Sequence, residues 1–354
     1  MPSLAIPKGS TVLVTGANGL LGSHIAKQFL EYGYKVRGTV RNPDKVGWLS
    51  AAFDKAYGEG KFELVKVADM AAEGAFDEAV KGVDAVVHVA SVLTLDPNPH
   101  NVIPSSIAGA VNALKSAFAA PNVKRFVFTS SSSAVESADD GPDAVITEDQ
   151  WNEKAVKDAW AEPPYTPERA GAVYAASKTQ SEQEVWKYYK EHRAERPDLV
   201  VNTVLPNFNF SGSIDPVNQG FPSSSAMPVT LYNGEVSYIF HILNKQHYIH
   251  TDDSARLHVA AATFENVKDQ RIFGFAGKFS WDLILDILRK NFPEKTFPEN
   301  FSAELSKKTI APSGKAEELL RELGRPGWTS LEDTIVETIK DAQLAGDKAK
   351  IHSY

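Results

Sequence analysis

The segment Gly16-Ala17-Asn18-Gly19-Leu20-Leu21-Gly22 constrains this chain more than any other. It follows an apolar run, Thr11-Val12-Leu13-Val14-Thr15, that reads as a buried parallel strand. It opens a stretch from Leu20 to Glu31 in which Ile25, Phe29 and Leu30 recur at helical spacing. The spacing is G-x-x-G-x-x-G, not the G-x-G-x-x-G of the common dinucleotide fingerprint. The physics is shared. Small residues let the main chain approach a pyrophosphate, and a helix N-terminus offers free N–H groups and partial positive charge. Gly16, Asn18, Gly19, Leu20, Leu21 and Gly22 are therefore read as a cofactor loop. A tight packing turn is the plainer alternative. The strand before and the helix after favour the cofactor.

The same rhythm continues downstream. Strands are expected at Tyr34–Val40, Phe62–Val67, Ala85–Val89, Arg125–Thr129 and Val200–Leu205. Helices are expected at Pro43–Tyr57, Ile107–Phe118 and Gly171–Lys190. Alternating strands and helices predict an α/β fold, a Rossmann-like doubly wound parallel sheet, here of six strands. Residues 1–206 form the expected dinucleotide-binding domain, with a surface insertion over about 136–170. Residues 207–354 form mostly a smaller substrate lobe, with some segments returning to the first domain. Its start, 207–230, is rich in Pro, Gly, Ser and Asn and reads as a long mobile loop. Helices follow near Asp252–Thr263, Trp281–Lys290, Lys315–Leu323 and Leu331–Ala345.

Composition removes several chemistries. Cysteine is absent, so disulfides, thiolate catalysis and Cys-ligated metals are excluded. Lys+Arg is 37 against Asp+Glu 45, a net charge of -8, which opposes nonspecific nucleic-acid binding. No apolar run has the length of a membrane span, and Met1–Ser10 lacks the apolar stretch of a secretory signal. Ile351 to Tyr354 matches no lipidation or retention signal. The expectation is a cytoplasmic protein, monomer or homodimer, acting on a small molecule away from membranes and nucleic acid. His88 and His250 have no second ligand at metal spacing, so no metal is expected. Asp252-Asp253 reads as a helix start.

NAD enzymes usually carry an acidic residue about twenty positions beyond the glycines, bonded to the ribose 2′-OH. Lys35 to Pro43 contains none; it contains Arg37 and Arg41, with Lys45 just beyond. Arg41 stands at the strand end where a ribose should lie, while Arg37 stands earlier and can simply face solvent. A guanidinium suits a 2′-phosphate, so NADPH/NADP+ is favoured.

Tyr174-Ala175-Ala176-Ser177-Lys178 lies in the long predicted helix, and an i, i+4 pair shares one face. Tyrosine titrates near ~10. A nearby ammonium favours the phenolate and brings that pKa toward the useful range, so Tyr174 can serve as proton donor. Thr129-Ser130-Ser131-Ser132-Ser133 ends the fifth strand, where open sheets bind ligands, and one of its hydroxyls can orient a carbonyl oxygen. Either pattern alone arises by chance; they gain weight from following a glycine loop in this chain order. Phe208, Phe221, Met227 and Leu243 predict an apolar substrate pocket.

Together these residues resemble the extended short-chain dehydrogenase/reductases. The narrower likeness is to the dihydroflavonol-reductase-like branch and to fungal NADPH-dependent aldehyde and ketone reductases of the methylglyoxal type. It spans most of the chain and includes Gly33 to Thr39, Val123 to Val127, Val173 to Thr179, Val204 to Asn207 and Leu323 to Trp328. The resemblance implies Ser131 as catalytic serine beside Tyr174 and Lys178, with Lys178 also holding the ribose. It implies Arg41 and Lys45 at the 2′-phosphate, and Asp69 and Met70 beside the adenine. Val89, Ala90 and Ser91 would pass under the cofactor, and Pro206, Asn207 and Phe208 would touch its nicotinamide end. Leu243 and Gln246 would line the substrate pocket. Two departures stand out. Ser106-Ile107-Ala108-Gly109-Ala110 replaces the Asn-Val-x-Gly-Thr of many extended members, and Glu136 replaces the asparagine of plant flavanonol reductases. The competing readings are an NAD-dependent nucleotide-sugar epimerase or dehydratase and a non-catalytic NADP-sensing protein. The first usually shows the missing acidic residue; the second tends to lose the tyrosine–lysine pair that this chain keeps.

Overall fold

The computed structural model describes residues 2–137 and 139–352. Met1, Ala138 of the insertion, and Ser353 and Tyr354 of the C-terminal segment read above for targeting signals lie outside them. The strands are β1 (Thr11–Thr15), β2 (Lys35–Val40), β3 (Phe62–Lys66), β4 (Ala85–His88), β5 (Arg125–Thr129), β6 (Val145–Ile146), β7 (Val200–Pro206), β8 (Phe208–Phe210), β9 (Gln246–His250), β10 (Arg271–Gly274), β11 (Gly277–Phe279) and β12 (Thr309–Ile310). The helices are α1 (Leu20–Glu31), α2 (Gly47–Tyr57), α3 (Pro99–Ala119), α4 (Glu153–Ala159), α5 (Ala170–His192), α6 (Ala226–Tyr232), α7 (Tyr238–Ile242), α8 (Thr251–Thr263), α9 (Trp281–Asn291), α10 (Ser313–Glu322) and α11 (Leu331–Ala345).

Seven strands form the main sheet in the order β10-β7-β5-β4-β1-β2-β3, and every neighbouring pair is parallel. The order reverses between β1 and β4, which opens a crevice at their carboxyl ends. One core lies under α1, α2 and α8 with Val12, Val14 and Phe29 fully enclosed; the other holds Leu13, Phe126 and Leu114 under α3 and α5. Alternate residues of β1 thus face opposite cores, and for that reason the strand reads as one unbroken apolar run.

The structure corrects four readings. The sheet has a seventh strand, β10, which is only four residues long and arrives from beyond residue 270. The helix read from Ile107 begins at Pro99, where Asn98 caps it through the His100 amide at 3.1 Å; Pro104 sits inside and hid the first turns. Pro43–Tyr57 divides into a 3-10 turn, Pro43–Lys45, capped by Asn42, and helix α2. The segment 207–230 is not featureless: it holds β8, a 3-10 turn and α6. Its Pro, Gly and Ser content masked three residues of strand that pair in parallel with β9.

A second sheet, β11-β9-β8, stands next to the first. The chain passes from β7 to β8 through Asn207 alone and from β10 to β11 through Phe275 and Ala276. The Asn207 amide donates to the Gly274 carbonyl at 3.1 Å, so the two crossings are fastened together. Behind this sheet, Phe210, Phe240, Phe279 and Trp281 pack edge to face or tilted, with centroids 4.7–6.4 Å apart. Burying each such ring contributes roughly 1.5–3 kcal/mol. Asp252 and Asp253 do open a helix, α8, but both are buried: Asp252 pairs with His24 at 2.6 Å and Lys27 at 2.8 Å, and Asp253 with Arg256 at 2.7 Å. His250 accepts the Asp252 amide at 3.1 Å as the N-cap. Among the described residues no cluster of metal-ligating side chains occurs, and no helix is long and apolar enough to cross a membrane.

Candidate active site

The crevice is walled first by main chain. Gly16 has φ +64°, a conformation that favours glycine. At Gly22 a Cβ would overlap the Gly16 carbonyl oxygen, so the first turn of α1 folds directly onto the loop. At Gly16 a Cβ would lie 3.1 Å from the Ala90 Cα, so the turn after β4 runs against the loop as well. At Gly19 a Cβ would meet only the Gly16 carbonyl oxygen, at 3.4 Å, an ordinary contact, so this position is less crowded than Gly22. Thr15 builds the other half. Its hydroxyl oxygen accepts from the Val89 amide at 2.9 Å and the Ala90 amide at 3.0 Å, and its proton goes to His88 Nδ1 at 3.1 Å. His88 lies between the Phe76 and Phe128 rings, and burial followed by the Lys178 charge pulls its pKa down to about 3. It is neutral at physiological pH and packs the end of β4 against β1.

At the next edge, β5 delivers its serines toward α5. They are not equivalent. Ser130 donates backward to Glu182 at 2.6 Å. Ser131 faces the Tyr174 hydroxyl, shares a hydrogen bond with Ser133 at 3.0 Å, and accepts the Ser133 amide at 3.2 Å. Tyr174 is half-buried and Lys178 buried, one turn apart on α5. Lys178 Nζ donates to the Thr129 carbonyl at 3.2 Å and sits 5.8 Å from the Phe128 ring centroid. Burial lowers its pKa to about 8, against the opposing charge of Glu182. The hydrogen bonds of this structure do not join Lys178 to Tyr174. Burial raises the Tyr174 phenol above its ordinary value, and only the Ser131 contact offsets that rise. The ammonium is directed at the strand's carbonyl, not at the phenol.

Residues 12–274 match the NAD dependent epimerase/dehydratase family. The chain belongs to that family. Aldehyde reductase 2 of Sporidiobolus salmonicolor is 40% identical over 338 residues, spanning 94% of this chain and 96% of that enzyme. The ketoreductase nvfG of Aspergillus novofumigatus is 33% identical, spanning 94% of this chain and 97% of that enzyme. The crystal structure of yeast methylglyoxal/isovaleraldehyde reductase Gre2 complexed with NADPH superposes with a TM-score of 0.80 at 25% identity, covering 95% of this chain and 99% of that one. These relatives are reductases, so this member of the epimerase/dehydratase family is an oxidoreductase by descent.

The remaining predicted residues separate into groups. Arg41 and Lys45 are exposed at the end of β2, and among the described residues neither has an ion-pair partner. Arg37 is occupied: its guanidinium donates to Glu63 at 2.5 Å and to the Ala79 and Lys81 carbonyls at 3.0 and 2.6 Å. Asp69 is exposed and caps the Ala71 amide at 2.9 Å. Met70 packs on α3 where Gly109 lacks a Cβ, and Asn112 fixes the loop through the Met70, Ala71 and Ala72 carbonyls at 2.9–3.3 Å. Asn207 is buried, with its amide donating to Glu136 Oε2 at 3.0 Å and its oxygen accepting the Phe208 amide at 2.8 Å. Phe208, Leu243 and Gln246 are half-buried along the second sheet. Phe221 and Met227, expected at the pocket, are enclosed in the core behind that sheet at 0% and 3% exposure. They support the wall and offer no open face.

Sequence reasoning passed over three groups. Thr15 is the polar side chain at the carboxyl end of β1, directly before the glycines, a signal that was present. Gln219 lies 200 residues from the glycine loop, yet its side-chain amide donates to the Asn18 and Gly19 carbonyls at 3.3 and 3.2 Å and to Ser23 at 2.8 Å. Nothing local marks it. Glu182 stands one helical turn beyond Lys178, a charge on a buried face.

Proposed function

We propose that this protein is an NADPH-dependent reductase of apolar aldehydes and ketones. The carrying observation is the convergence of Ser131, Tyr174 and Lys178 at the carboxyl edge of β5, in the same crevice as a loop whose glycines let main chain pack directly on main chain. NADPH, when bound, supplies the hydride. Gly16, Asn18, Gly19, Leu20, Leu21 and Gly22 would hold its pyrophosphate, Val89, Ala90 and Ser91 its underside, and Asp69 and Met70 its adenine. Arg41 and Lys45 are suited to a 2′-phosphate because, among the described residues, no carboxylate pairs with them, whereas Arg37 is held by Glu63.

Ser131 donates to the carbonyl oxygen and orients it. Tyr174 gives its proton to that oxygen as negative charge develops there. Burial alone keeps the phenol protonated at neutral pH and makes it a weaker acid, so its transfer relies on groups that favour the phenolate, Ser131 first among them. Lys178, at about 8, is cationic at neutral pH and stabilises the charge left on Tyr174. Pro206, Asn207 and Phe208 would meet the nicotinamide end, and Phe208 and Leu243 favour apolar groups on the carbonyl compound.

The test is NADPH oxidation by the purified protein against aldehydes, α-dicarbonyls, β-ketoesters and aryl ketones. Turnover of several of these, with NADH much poorer, is the expected result. A protein that binds NADPH and oxidises it with none of them would overturn the proposal.

A further inference from the structure

Tyr174, Lys178 and Glu182 stand four apart on α5, so one helix face carries all three. Glu182 is fully buried, and a buried carboxylate is tolerated only when donors meet its lone pairs. Oε2 accepts from Ser130 Oγ at 2.6 Å and Arg271 Nη2 at 3.1 Å. Oε1 accepts from Thr203 Oγ1 and Arg271 Nε, each at 2.8 Å, and from Trp186 Nε1 at 3.3 Å. Arg271 arrives from β10, and its remaining nitrogen, Nη1, donates to the Glu148 and Gln150 carbonyls at 2.6 and 2.8 Å. Its guanidinium lies 3.9 Å from the Trp151 ring centroid. One carboxylate therefore ties α5 to the end of β5, the middle of β7 and the start of β10, and through Arg271 to the insertion.

Stability alone does not account for such a group. Apolar residues of similar volume often serve as well as a buried ion pair, or better. Its position supplies a reason. Ser130 is the residue before Ser131, and its amide donates to the Val204 carbonyl at 2.8 Å, so Glu182 completes the clamp on this main chain from the side-chain end. The charged and titratable groups around Lys178 are Glu182 on its own helix, Tyr174 one turn back, and neutral His88 from β4, with the Phe128 ring and Thr129 carbonyl of β5 below. Arg271 is the only cation bonded to Glu182 among the described residues.

We propose that Glu182 is a positioning residue of the active site: it fixes Ser130, and through it the main chain that presents Ser131, and it supplies the negative charge facing the Lys178 ammonium. The inference rests on the reading of Ser131, Tyr174 and Lys178 as the reacting side chains.

The experiment compares four variants by kcat and KM across pH, by NADPH affinity from fluorescence, and by Tm. Glu182→Gln leaves Arg271 buried without its partner and loses stability. Glu182→Gln with Arg271→Met removes both charges and restores folding. In the double variant kcat falls between about tenfold and a hundredfold, because the serine is misplaced. Its alkaline limb moves down by less than about one pH unit, because the carboxylate near Lys178 is gone and the loss of Arg271 offsets part of that change. NADPH affinity changes little. Ser130→Ala keeps the charge and loses the tether, so kcat falls while the alkaline limb stays. A double variant with wild-type kcat and pH profile would reduce Glu182 to packing. Should the double variant not fold, an unchanged kcat in Ser130→Ala overturns the proposal by itself. Tyr174→Phe is run beside them: wild-type turnover there removes the catalytic reading, whereas its loss together with unmoved Glu182 and Ser130 variants removes only this one.

Discussion

The two ends of the crevice are built from different materials. On the nucleotide side, from β1 to β2, the wall is main chain: glycines, the Thr15-held turn at Val89 and Ala90, and carbonyls gripped by Gln219. Its cations, Arg41 and Lys45, are exposed. On the side of β5, α5 and β7 the wall is ionisable side chains, with Lys178 and Glu182 buried and Arg271, Glu136 and Lys308 half-buried. Main-chain donors bind anions of fixed charge and geometry whatever the pH. Buried side chains hold or release protons, as a reduction requires. The difference teaches where each kind of damage should appear. Changes on the first side should alter affinity, and changes on the second should alter turnover and pH dependence.

The largest expected break of this contrast is Tyr174→Phe. The ring keeps its packing and only the donor is lost, so turnover should fall by about 10²-fold or more while NADPH affinity holds. Single-turnover kinetics with a fluorescence titration separate the two quantities. A parallel loss of affinity would mean that the two sides are not separate. The mirror experiment is Gly22→Ala. Its Cβ would meet the Gly16 carbonyl oxygen, which is main chain and cannot swing aside. NADPH affinity should fall by roughly tenfold to a hundredfold, with about 1–3 kcal/mol of stability lost to overpacking. Turnover at saturation should change less. Titration calorimetry beside thermal melts checks both parts.

The same contrast explains what the sequence disclosed. Gly16 to Gly22 and Tyr174-x-x-x-Lys178 are local patterns, each carried by one turn or one helix, and local spacing is legible. The parallel sheet was legible for the same reason, through apolar runs of four to seven residues. What stayed hidden is long-range. Glu182 and Arg271 are 89 residues apart, and Gln219 and Asn18 201. β10 is too short to show a period, and β8 starts two residues after Pro206 within a segment of loop-like composition. Phe221 and Met227 read as pocket residues because an apolar side chain near a site looks the same whether it faces ligand or core. The local pattern of the Ser run makes its hydroxyls alike, and only the family resemblance singles out Ser131; in the structure Ser130 turns back toward Glu182.

A finer break compares the two arginines of β2. Arg41 is exposed at the strand end, while Arg37 is spent on Glu63 and two carbonyls. A charge-assisted contact to a phosphate contributes roughly 1.5–3 kcal/mol, so Arg41→Ala should raise KM for NADPH by about tenfold to a hundredfold. KM for NADH should barely move. Arg37→Ala should leave both constants near wild type and lower Tm slightly, since its partner Glu63 is itself half exposed to solvent. Steady-state kinetics with both cofactors decides. Equal effects of Arg41→Ala on NADPH and NADH would make the cation a surface feature.

The smallest effect expected is one of pH, and it belongs to the other side. Glu136 follows Ser131 by five residues, donates nothing while ionised, and accepts the Asn207 amide at 3.0 Å. Burial raises its pKa to about 7, against the pull of Lys308. The unfolded chain releases this proton near the ordinary value of 4.5. Between those two values the folded protein holds a proton that the unfolded chain has lost. Stability from this group is therefore full at the acid end and declines as pH rises through the window, by about 1–3 kcal/mol in all. Glu136→Gln keeps an amide oxygen for Asn207 and removes the titration. Its Tm should change less between pH 5 and 7 than that of the wild type, with the two differing by no more than about a few degrees. Arg41→Ala, on the nucleotide side, should leave the wild-type slope intact. Differential scanning calorimetry at matched ionic strength reads both slopes. If Glu136→Gln declines with pH as steeply as the wild type, the carboxyl is ionised throughout and this part of the contrast fails.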